Sequence, residues 1–111
     1  MTAIQLRGGA NRPEHPLAAA ERLFRHMAAD RLDLLSTAWM RLDGGRQIAE
    51  ALADIRSVAH KIAGTAASLG HSQLGDFAAE VERLSLDGAG RDELQRALRP
   101  LISGLADLIE D

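Results

Sequence analysis

IAEALADIRSVAHKIAGTAASLG, residues 48–70, is the stretch that decides the architecture. Its apolar residues Ile48, Leu52, Ile55, Ala59, Ile62, Ala66 and Leu69 advance in alternating steps of four and three. That spacing keeps side chains on one side of an α-helix, whereas a half-buried strand would alternate at every second residue. The pattern predicts one long helix with a continuous core-facing stripe. Gly70, directly after the last stripe residue, is placed to stop it.

Working outward, Asp43-Gly44-Gly45 is a clear break before this helix. Ahead of the break, Leu17, Ala20, Phe24 and Met27 form one stripe, and Leu35, Trp39 and Leu42 form another. Asp30 could cap a fresh helix between them, or the two could be one bent rod. Beyond Gly70, Ser72 can cap a helix that buries Leu74, Phe77, Val81 and Leu84. Asp87-Gly88-Ala89-Gly90 is a turn, and Leu94, Leu98, Leu101, Leu105 and Leu108 mark a last helix, thickened by Ile102 and Ile109. Pro100 lies inside that helix and removes a backbone donor, so a kink is expected there. Short turns between long amphipathic helices make antiparallel neighbours. The expected fold is therefore all-α, an antiparallel up-down four-helix bundle, with a short additional N-terminal helix if the chain breaks near Asp30. Residues 16–111 would form this domain. Residues 1–15, with Gly8-Gly9, Asn11 and Pro13, read as a flexible N-terminal tail.

The composition agrees and excludes several functions. Of 111 residues, 46% are hydrophobic but only 3% aromatic, the mark of packed helices rich in Leu and Ala. Net charge is -3, with 13 basic and 16 acidic residues and no basic run, so nucleic acid is not an expected partner. There is no cysteine, hence no disulfide framework and no thiolate chemistry. No stretch approaches the ~20 apolar residues of a membrane span, and the N-terminus lacks the apolar centre of a secretory signal. A cytoplasmic protein with no membrane association is expected. His15, His26, His60 and His71 include no i, i+4 pair, so neither a metal site nor a bound cofactor is expected.

One surface stands out. His60 should lie roughly 130° round the helix from the stripe centre, towards solvent. Gly64 shares its face one turn on, Ala63 and Ala67 flank it, and Arg56 lies one turn before. Solvated helix faces normally carry long polar side chains; here a single imidazole stands among small ones. Gly64 inside a helix costs roughly 1 kcal/mol against Ala, and close approach of another surface would offset it. A neutral imidazole has a free lone pair near pH 7 and can accept a phosphoryl group, while a partner supplies metal and cations. Against this stand plainer readings: a surface histidine is usually only polar, a helical glycine can serve packing, and Arg56 and Lys61 can be solvated charges.

Residues 59–70, AHKIAGTAASLG, resemble the active-site helix of histidine phosphotransfer (HPt) domains, whose pattern is His-x-x-Lys-Gly followed by small residues and a second Gly. His60, Gly64, the run Thr65-Ala66-Ala67-Ser68-Leu69 and Gly70 match, and the helical layout is similar over residues 17–110. The resemblance implies a phosphoryl carrier of a multistep, two-component phosphorelay. His60 would take the group from an aspartyl phosphate on a receiver domain and pass it to another receiver. Arg56, Lys61, Ala63, Gly64 and Ala67 would form the docking and phosphate-proximal surface. Response-regulator receivers and a hybrid histidine kinase are the implied partners. The receiver would bring Mg²⁺, and the chain would be a monomer that neither binds ATP nor acts as an enzyme.

The chain departs from the pattern at Ala63, where the family has Lys. Lys61 leaves the helix on another side, and Arg56 is the better-placed substitute; Thr65 and Ser68 could add hydroxyls at less favourable angles. This departure keeps a second reading open, an adaptor that docks or sequesters a receiver without accepting phosphate. The dimerisation region of a sensor kinase ranks lower, because Lys61 follows the histidine where that region usually has an acidic residue.

Overall fold

The computed structural model describes residues 17–110, and the tail expected over residues 1–15 lies outside them. Four helices follow in order: α1 Ala18–Asp43, α2 Ile48–Ser68, α3 Ser72–Asp87 and α4 Arg91–Glu110. Each packs on two neighbours, α1 on α2 and α4, and α3 on α2 and α4, which closes an up-down ring. No strand occurs among the described residues.

The core lies along the axis of this ring. Leu35 of α1, Ile55 and Ile62 of α2, Val81 of α3, and Leu94, Leu101 and Leu105 of α4 are completely or almost completely buried. Among the described residues no charged or polar side chain is buried with them, so hydrophobic burial, at about 25 cal/mol per Å², is the main force holding the helices together.

The sequence stripes are displaced from the observed ones in definite ways. On α2 the buried set is Ala51, Ile55, Val58, Ala59, Ile62 and Ala66. Leu52 and Leu69 are only partly buried, and Ile48, in the first turn beyond the cover of the neighbouring helices, is 50% exposed. α1 is one continuous rod, so Asp30 caps nothing and no additional N-terminal helix forms among the described residues. Its buried residues are Phe24, Ala28, Leu35 and Ala38; Leu17, Ala20 and Met27 are exposed, and Trp39 and Leu42 pack at the margin. α3 begins one residue earlier than expected: His71 is the N-cap, makes no side-chain capping bond, and Ser72, the expected cap, is already helical. Phe77 and Ile102 are half-buried and Ile109 is exposed. α4 runs through Pro100 without interruption.

The connection between α2 and α3 sets the register of the site. Gly70 takes φ +87, open to residues without a side chain. The amides of Gly70 and His71 then donate to the carbonyls of Ala67 and Ala66, at 3.3 and 2.8 Å. This Schellman closure ends α2 and turns the chain sharply back, so α3 runs antiparallel and close beside it. The two helices come close at Gly75, where a Cβ would stand in ordinary van der Waals contact, 3.5 Å from the Ala63 carbonyl oxygen and the Ala67 nitrogen.

Candidate functional site

His60 projects from the middle of α2, between the fully buried Ala59 and, two residues on, Ile62. Helical geometry therefore sends its imidazole outward, and the side chain is 73% exposed. The ring is nonetheless held. Its Nδ1 lies 2.8 Å from Oε2 of Glu82, a residue of α3 whose side chain is 26% exposed. A carboxylate only accepts hydrogen bonds, so Nδ1 carries the hydrogen and donates it. In the neutral ring the other nitrogen, Nε2, is then the one with the lone pair. The α2–α3 pairing thus selects the tautomer.

Two shallow depressions flank the ring. One, about 440 Å³, is walled by Leu17 and Ala20 of α1 and by Lys61, Gly64, Thr65, Ser68 and Leu69. The other is lined by Arg56, Ser57, Lys61, Glu82 and Leu86. Lys61, expected on another side, in fact borders both, so among the described residues it and Arg56 are the cations that line these depressions. Neither pairs with a carboxylate among the described residues. Arg83, next to Glu82 in sequence, is different: it bonds Glu80 at 2.7 Å and Asp87 at 3.1 Å. The Glu80 bond, together with that residue's charge, holds the Arg83 guanidinium above its ordinary value.

The small residues behave as a surface. Among the described residues a Cβ on Gly64 would meet nothing within 4 Å, so this glycine is not there to let another helix pack against it. Ala67 is exposed, whereas Ala63 is half-buried where α3 comes close at Gly75. The hydroxyls of Thr65 and Ser68 donate to carbonyls of their own helix, Lys61 at 2.9 Å and Gly64 at 3.1 Å. Their hydrogens are thus not available to a bound anion in this arrangement. Among the described residues no three His, Cys, Asp or Glu side chains gather to hold a metal ion, and no helix is long and apolar enough to cross a membrane.

An exposed histidine on a four-helix bundle, with a flat small-residue face beside it, is an arrangement suited to an intermolecular reaction. The family model of the Hpt domain matches residues 22–111. The chain belongs to the Hpt domain family. Hpt domains are phosphocarrier modules of phosphorelay signalling, not ATP-using enzymes, and they interact with response-regulator receiver domains. Neither the curated proteins nor the solved structures provided a match.

Sequence reasoning missed two components of this Hpt site. Glu82 reads as an ordinary helix-surface acid, yet it and His60 both lie roughly three helical turns from the Gly70 turn, which places them at one height in an antiparallel pair. Counting outward from Gly70 would have found it. Leu17 and Ala20 read as core residues; they are exposed because Phe24 is the first described residue of α1 to reach the core.

Proposed function

We propose that this Hpt domain is the histidine phosphotransfer protein of a multistep phosphorelay, with Nε2 of His60 as the phosphoryl acceptor. The observation that supports it is the Glu82–Nδ1 bond, which leaves the reactive lone pair on the solvent side of an exposed ring. A receiver's aspartyl phosphate approaches over Gly64 and Ala67. Nε2 attacks phosphorus, the P–N bond forms, the P–O bond to the aspartate breaks, and the carboxylate leaves with the electron pair. The imidazole keeps its Nδ1 hydrogen throughout, shared with Glu82, so the phosphorylated ring is cationic and the group can depart to a second receiver by the reverse displacement. Transition-state charge in such transfers is stabilised by cations and a metal. The receiver is to bring Mg²⁺; this chain offers Arg56 and Lys61. A hybrid histidine kinase would load the first receiver, and a cytoplasmic monomer suits the role.

Ala63 favours a second reading, the adaptor that binds a receiver without being phosphorylated, because the lysine of the family pattern is missing. Incubation with a panel of phosphorylated receiver domains separates the two. Transfer of label to the wild type and not to His60→Gln is the expected result. Receiver binding with no label on either protein would establish the adaptor instead.

A further inference from the structure

One wall of the depression beside His60 is the first turn of α1, where Leu17 and Ala20 precede Phe24, the first described core residue of that helix. Across from this turn stands His71, the residue that opens α3. Its Nε2 lies 2.8 and 3.1 Å from the two carboxylate oxygens of Glu21. Its ring leans on Phe24, with centroids 5.3 Å apart. Glu21 is gripped a second time by Nε of Arg25, at 2.7 Å. We propose that the His71–Glu21 clasp positions the first turns of α1 as a wall of the docking surface beside His60, and that proton uptake by the clasp tightens it. His71 is a positioning residue in this account, acting through Glu21.

The clasp has the parts a proton-sensitive fastening needs. Among the described residues, the charged side chains that bond the imidazole or flank its contacts lie on α1: Glu21, Arg25 beyond the carboxylate, and Arg31, whose guanidinium sits 5.9 Å from the Phe24 ring centroid. Among the described residues no charged side chain of α2, α3 or α4 pairs with the ring. The His71 hydrogen bond holds the Glu21 carboxyl below its ordinary range, against the opposing effect of desolvation and with help from Arg25. The carboxylate therefore stays ionised while imidazoles titrate, at about pH 5 to 8. With a protonated imidazole the contact is an ion pair to both carboxylate oxygens; with a neutral one it is a weaker donation from the same Nε2–H to the carboxylate, and below the carboxylate range it is lost as Glu21 is protonated.

The proposal rests on the reading of His60 as a receiver-docked acceptor, but its first test needs no receiver. Hydrogen-exchange protection of the Glu21, Arg22 and Leu23 amides is measured at pH ~6 and ~8, corrected for intrinsic exchange. The wild type should lose about two- to fivefold protection at the higher pH, the range a partly exposed ion pair supplies. Glu21→Gln and His71→Gln, each keeping a hydrogen bond without the charge pair, should show no such change. An equal loss in both variants, or none in the wild type, would overturn the clasp. The second test measures the affinity of a receiver that phosphorylates His60. The advantage of wild type over Glu21→Gln should be present at pH ~6 and shrink at pH ~8. An advantage equal at both pH values, or absent at both, would refute the positioning role. If no receiver phosphorylates His60, the docking half fails with the proposed function, and the exchange test still decides the clasp.

Discussion

Removing the Glu82 carboxylate should slow phosphorylation of His60 without unfolding the bundle. The size of the effect follows from the contact. A hydrogen bond to a charged group contributes about 1.5–3 kcal/mol when well shielded, and an exposed pair closer to 0.2–1 kcal/mol. Glu82 is largely covered, but the ring it holds is 73% exposed, so a value of about 1 kcal/mol is appropriate. That corresponds to roughly a fivefold bias towards the ring with hydrogen on Nδ1 and lone pair on Nε2. Glu82→Ala should therefore lower the transfer rate from a given phosphorylated receiver by about three- to fivefold. Glu82→Gln can still accept through its amide oxygen and should fall between Ala and wild type. The assay pairs single-turnover transfer with ¹⁵N NMR of the imidazole, which reports the tautomer directly. A wild-type ring with its hydrogen mainly on Nε2, or a Glu82→Ala protein with unchanged tautomer and rate, would refute the reasoning.

Other perturbations separate the docking face from the core. Gly64→Gln places a side chain into open space, so thermal unfolding should show a gain of up to ~1 kcal/mol while receiver affinity falls; unchanged affinity would mean that no partner approaches there. Ile62→Ala opens a hole in the fully buried side of the same helix and should cost about 2–5 kcal/mol in denaturant unfolding. Restoring the family's lysine with Ala63→Lys should lengthen the lifetime of phosphorylated His60, read by loss of label over time, since Arg56 and Lys61 then no longer act alone; an unchanged lifetime would show that these two suffice.

Much of the fold was legible because helix periodicity and glycine stops are local signals. The residues 48–70 stripe placed α2 with its ends nearly right, and the exposed angle of His60 followed from the same count. What periodicity could not supply was the limit of burial at helix ends. Ile48 and Leu17 continue an apolar pattern past the point where neighbouring helices cover it, and a single sequence carries no mark of that edge. The continuity of α1 through Asp30 was equally unreadable, since Asp is tolerated both as a cap and on a helix surface. At the site, the residues of α2 were within reach because they share one helix with the motif. Glu82, His71 and Glu21 were not, because their roles depend on how separate helices register, and only the tight turn at Gly70 hints at that register.

The central claim is that phosphate is carried on Nε2 of His60. Its most direct test is to load the protein from a phosphorylated receiver and locate the group by ³¹P and ¹⁵N NMR of the histidine rings, with His60→Gln as control. A single phosphorus coupled to Nε2 of His60, and no signal from the variant, is the predicted result. Phosphate on Nδ1, on another histidine, or retained by the His60→Gln protein would contradict the account.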